Sequence, residues 1–169
     1  MSIANDVLYI AFMNAADGSR ATVIYRPVSA GDWASFGRLS DAATSDFNVD
    51  VDDAGNLFLG YMEGTLARVF HLSKGSNAFV ELAQNATATG VDQNASRLGL
   101  VAGGDRNPYI IYLKPNLAEI STPVVQRYIL PKVTYPPNTW ELLGTESQLS
   151  AIASTYPAVT TTVNGETYA

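Results

Sequence analysis

The sequence predicts an all-β fold made of three copies of a four-stranded antiparallel meander. Two observations carry that prediction: strand-like runs recur in the same order at intervals of 49 and 51 residues, and turn chemistry punctuates them throughout. A composition that supplies no competing helical periodicity agrees with both.

The recurrence starts with the runs 6–12, 56–61 and 107–112, in which Tyr9, Phe58 and Tyr109 align. A second β-rich run follows each, at 21–25, 67–70 and 124–129. A third opens on an aromatic residue, Trp33, Phe79 or Trp140, and covers 33–37, 79–83 and 140–144. In the later copies a further run precedes these, because 45–51 aligns with 96–102. Phe47, Val49 and Val51 then match Leu98, Leu100 and Ala102. That period-2 alternation marks a strand with one buried face. Between it and the next run lie Asp52, Asp53, Ala54 and Gly55, or Gly103, Gly104, Asp105 and Arg106. Such residues supply the positive-φ positions and side-chain caps of a tight hairpin. The strands of each unit are labelled A to D in chain order.

A four-stranded meander of about 50 residues cannot bury both faces by itself, so the units must stack, and radial stacking gives a propeller. The single domain 1–169 then divides into blade 1 (6–37 plus 156–163), blade 2 (45–83) and blade 3 (96–144). Blade 1 opens on a B strand, and 156–163 has the alternation of an A strand, so the C-terminal strand is expected to complete the first blade. Three blades are too few to close a ring, so completion is expected in trans, giving a six-bladed ring from a homodimer. A three-blade fragment of a longer chain and a β-sandwich are the competing architectures.

The succession Gly-x-x-aromatic-aliphatic, a Val-x-Tyr-like strand, then Trp-x-x-aliphatic-Gly resembles bacterial β-propeller repeats of the Gly-x-x-Tyr-Val-Ala-Tyr and Trp-x-x-Val-Gly type. The resemblance covers nearly the whole chain and implies a fold more than an activity. Sialidase-like propellers share this blade, but the Asp-box Ser-x-Asp-x-Gly-x-x-Trp is absent around Ser29 and Ser73, and no arginine triad can be assigned.

Composition narrows the function classes. Ten Lys and Arg against 16 Asp and Glu give a net charge of −6, with no basic cluster of the kind that binds nucleic acid. There is no cysteine, which excludes thiol chemistry and thiolate metal sites. The apolar run 7–13 is far too short to span a membrane, so no membrane partner is expected. Compartment is left open, since the chain shows no signal peptide and extracellular, virion and cytoplasmic settings all suit it.

Candidate binding residues come from long connections and recurring side chains. The amide-rich 84–94 loop, with Asn85, Gln93 and Asn94, suits hydroxylated ligands such as sugars. Asn85 and Asn94 also fit glycosylation sequons. Trp33 and Trp140 offer aromatic platforms, with Arg26, Arg68 and Arg127 nearby in the repeat, although recurrence at one blade position is also what packing demands. The acids of 50–55 partly match a calcium loop, but Ala54 and Tyr61 stand where ligands are needed, so neither a metal nor any other cofactor is expected. His71, the one histidine, lacks a nucleophile motif, and no catalytic residue is assigned. The expected function is a non-enzymatic recognition or assembly module that binds carbohydrate or protein. A structural subunit of a larger particle, phage-fibre-like, is the alternative, and a glycan-active hydrolase is less favoured.

Overall fold

The computed structural model describes residues 1–4, 6–29, 31–82, 91–92, 94–115, 121–130, 139–143, 160–161 and 167–168. Three antiparallel sheets of four strands follow one another along the chain, each in simple up-and-down order. Sheet 1 is β1 (Ser2–Ala4), β2 (Val7–Asn14), β3 (Arg20–Pro27) and β4 (Ala34–Arg38). Sheet 2 is β5 (Thr44–Val51), β6 (Leu57–Glu63), β7 (Leu66–Leu72) and β8 (Val80–Glu81). Sheet 3 is β9 (Ser96–Ala102), β10 (Pro108–Pro115), β11 (Ser121–Ile129) and β12 (Thr139–Leu142), and a short pair, β13 (Thr160–Thr161) with β14 (Thr167–Tyr168), follows. Among the described residues the sole helical element is a 3-10 turn at Ala15–Asp17, closed by Gly18 in the left-handed conformation.

The all-β class and the meander order are thus observed. One expectation is corrected: the first sheet does not lack its A strand, because Ser2–Ala4 pairs with β2, Ser2 opposite Tyr9 and Ala4 opposite Val7. Three residues are too few to display alternation, which is why the sequence hides this strand. Of the segment 156–163 expected in that place, only Thr160–Thr161 is described. It pairs with β14 and lies against β9; the rest falls outside the described residues.

Register ties the three sheets together. Tyr9 faces Tyr25, Phe58 faces His71 and Tyr109 faces Arg127, so these pairs occupy one position in successive sheets. Sheet 2 is the central layer and is buried on both sides. Leu59, Tyr61 and Phe70 meet Ala21, Val23, Tyr9 and Phe36 of sheet 1. Phe58, Met62 and Val69 meet Leu98, Leu100, Ile110 and Tyr112 of sheet 3. This two-sided burial explains why β6 reads as an unbroken apolar run rather than an alternating one. Each such side chain withdrawn from water stabilises the fold by about 1.5–3 kcal/mol before entropic costs. At Gly60 a Cβ would come within 3.1 Å of Leu98 and Leu100, so the glycine lets sheet 3 approach.

The A strands of sheets 2 and 3 are cross-linked directly. Asn48 Nδ2 donates to the Leu98 carbonyl, and the Ala102 amide donates to Asp50 Oδ2 at 2.9 Å. Both strands bulge near their start, with Asp46 and Arg97, 51 residues apart, at φ 51° and 56°. Asp50, one of the acids of the calcium-like stretch, is therefore an inter-sheet acceptor. Among the described residues no three His, Cys, Asp or Glu side chains converge as a metal site.

Candidate functional site

The A–B turn of sheet 2 shapes the region where a cavity opens. Asp52 is buried and its carboxylate accepts from the Ala54 and Asn56 amides and from Asn56 Nδ2, at 2.7–2.9 Å. Asn56 in turn accepts from the Lys74 amide at 3.0 Å, which fixes the C–D turn against the A–B turn. Gly75 holds φ 78° at the tip, where a side chain would be strained. Ser76 braces the same turn through the Ala78 carbonyl.

Between this turn and sheet 1 lies a cavity of about 350 Å³. Val7, Tyr9, Tyr25 and Phe36 line it from sheet 1, while Gly55, Leu72 and residues 73–77 line it from sheet 2. The rings form a continuous aromatic surface, with Tyr9 and Tyr25 6.2 Å apart at 28° and Tyr25 and Phe36 4.5 Å apart at 32°. Burial pushes the Tyr9 hydroxyl above its ordinary pKa, and the neighbouring Tyr25 adds to the shift. Opposite the rings the lining is made by Ser73, Lys74, Ser76 and Asn77, a turn rich in hydroxyl, amide and cationic residues. The described lining contains no carboxylate. Aromatic faces opposed to neutral and cationic hydrogen-bonding groups can hold a ligand that is apolar on one side and hydroxylated at its rim.

At the equivalent place between sheets 2 and 3 the described side chains are bulkier. There His71 takes the place of Tyr25 and stacks on Phe58 at 5.0 Å and 16°. Tyr128 stands where sheet 2 has Leu72, and Trp140 where it has Phe79; both join the core with Phe58. The larger side chains occupy what is a cavity one repeat earlier. His71 Nε2 is buried without a hydrogen-bond partner among the described residues, and burial pushes the histidine pKa down, opposed in part by Asp52.

Of the described residues singled out from sequence, Arg26 and Trp33 are brought together, and none lines the cavity. Trp140 is 7 % exposed and donates from Nε1 to the Leu82 carbonyl at 2.8 Å, so it is a packing residue. Trp33 is 44 % exposed and carries the Arg26 guanidinium 5.0 Å above its ring. Arg68 lies within sheet 2 between Glu63 and Glu81, at 2.6 and 2.7 Å. Arg127 reaches Glu141 at 2.9 Å and Asp105 at 3.6 Å on a more exposed surface. Asn94 is an exposed loop residue at φ 61°, while Asn85 and Gln93 fall outside the described residues. The cavity opens at the end of the sheets that carries the short A–B and C–D turns, whereas sequence reasoning looked to the long connections at the other end. Tyr9 and Tyr25 were visible as repeat positions, but nothing in the spacing told that their neighbours leave room.

No family model matches the chain, and no curated protein matches it. Among solved structures, a fucose lectin from Kordia zhangzhouensis, determined in complex with methyl-fucoside, is similar to this chain at a TM-score of 0.48 and 11 % identity, over 85 % of this chain and 96 % of that one.

Proposed function

We propose that the protein is a non-enzymatic carbohydrate-recognition module whose sheets are consecutive propeller blades and whose cleft between sheets 1 and 2 takes a sugar ring. The aromatic floor of Tyr9, Tyr25 and Phe36 facing the polar turn 73–77 is the observation that carries this reading. A pyranose has a C–H face that packs on rings and hydroxyls at its edge that pair with Ser, Asn and Lys. The volume, at the low end for ligand pockets, suits one or two sugar units rather than a longer chain. Hydroxyl, amide and ammonium groups bind such a ligand, and the described lining offers no carboxylate pair to cleave it.

Glycan-array screening followed by calorimetric titration tests the reading. A bound sugar should be recovered unchanged, and Tyr25→Ala and Asn77→Ala should each weaken binding about tenfold or more, a cost near 1.4 kcal/mol. Absence of any glycan ligand, or variants that bind like the parent, would overturn it.

An assembly role is favoured by the far side of sheet 1. Leu8, Ile10, Phe12 and Ile24 are only half-buried there, whereas Leu57, Leu59, Tyr61 and Phe70 at the same register in sheet 2 are buried. In this reading a second copy covers that face and two chains pair about a two-fold axis, so the mass in solution is twice the 18.1 kDa of one chain.

A further inference from the structure

We infer that Trp33 is the docking residue between two copies of this chain, seated on the outermost strand of sheet 3 in the second copy at Leu142 and Leu143. The inference rests on the paired-chain reading above and names the contact that makes the pair. Its basis is a contact that the fold makes twice and leaves open once. Ala34 lies opposite Tyr25, Val80 opposite His71 and Glu141 opposite Arg127, so the preceding residues Trp33, Phe79 and Trp140 hold one position in the three sheets. From that position Phe79 reaches back onto sheet 1 and meets Phe36 edge-on at 5.1 Å. Trp140 likewise reaches back onto sheet 2 and donates to the Leu82 carbonyl. Among the described residues no sheet stands in front of sheet 1 to receive Trp33. It is exposed beneath Arg26, whose Nε is buried with no hydrogen-bond partner among the described residues.

Among the described residues no aromatic ring occupies the matching socket. The Leu143 amide donates to the Val125 carbonyl at 2.9 Å, as the Leu82 amide does to Val69 at 2.8 Å, so Leu143 holds the place that receives Trp140 one sheet earlier. Leu142 beside it is 46 % exposed. The inner strands of sheet 3 are covered, with Ile111, Leu113 and Val125 buried, so the opening is confined to this outer edge. Tooth and socket belong to the first and last sheets of the series, so the tooth of one copy fits the socket of another. Two copies satisfy both contacts at once, as a closed two-fold pair requires. A tryptophan that fills a pocket at the centre of such a contact is the kind of residue that carries most of its energy.

Light scattering on the intact chain and its variants tests this. The parent and a control, Val80→Glu on the exposed edge of sheet 2, should run at the mass of two chains. Trp33→Ala and Leu142→Glu should each run at the mass of one, and mixing the two variants should restore a two-chain species through the one intact contact. Trp140, the remaining tryptophan in Trp33→Ala, reports folding by keeping the blue emission of a buried indole. A parent dimer that both variants leave whole overturns the docking role of Trp33 while the paired-chain reading stands. A parent that is a monomer overturns both.

Discussion

Arg26, Arg68 and Arg127 look like one recurring set in the sequence, yet the register places them opposite Leu8, Tyr61 and Tyr109, three different positions. Their energetic weights differ accordingly. Arg68 is 15 % exposed and bridges β6 to β8 through two carboxylates that are themselves mostly buried. Arg68→Met strands those acids and should cost about 3 kcal/mol. Arg127→Met removes a more exposed pair and should cost under about 1 kcal/mol; urea unfolding midpoints at neutral pH compare the two. His71 gives a pH signature. Because burial holds its folded pKa below the unfolded value, the unfolded chain binds a proton first as pH falls. The contribution is whole above about pH 6.5 and is lost as pH drops through the folded pKa. His71→Phe keeps a ring on Phe58 and removes the titration, so stability should fall less steeply between about pH 6.5 and 5 than in the parent. Identical slopes in the two proteins would count against the assignment.

At the scale of elements, each A–B turn grips its C–D turn. Asn56 accepts from the Lys74 amide and Asn107 from the Leu130 amide, at equivalent positions, and in sheet 1 the Asp6 carbonyl accepts from Val28 instead. Asn56 touches no part of the cavity floor but holds the turn that walls it. Asn56→Ala should therefore cost about 1–2 kcal/mol in stability and also weaken sugar binding, and Asn56→Asp, which keeps the acceptor for Lys74 but sets a second carboxylate against Asp52, should not recover binding in titration at neutral pH. These turns were legible in the sequence because Asp, Asn and Gly have few other uses between two apolar runs. The strands were legible from alternation and from repetition. Ser2–Ala4 was not, being too short to alternate. Nor was the cavity, which depends on Leu72 and Phe79 being smaller than Tyr128 and Trp140, a difference of volume that hydrophobic pattern treats as none.

The whole molecule is a series of sheets with a packed middle and two unlike ends. Sheet 2 has neighbours on both sides, so both faces of its inner strand β6 are buried. The first sheet presents half-covered apolar residues on its far side, and the last presents a strand edge open at Leu142. That asymmetry could not be read from sequence, since Trp33, Phe79 and Trp140 look alike in the repeat and only their position in the series separates an exposed indole from a buried one. The mass measurement belongs to this scale, because it asks whether the two ends meet.

The substitution of Tyr128 and Trp140 for Leu72 and Phe79 has a consequence for counting. Among the described residues it leaves one open cleft where the repeat would allow two. On the paired-chain proposal, two-fold rotation sets the valency at two, with both clefts related by the axis and carried on the same rim. A surface displaying many copies of one sugar would be gripped at two points, with avidity exceeding that of a single cleft by about 10²–10⁴ when the spacing permits.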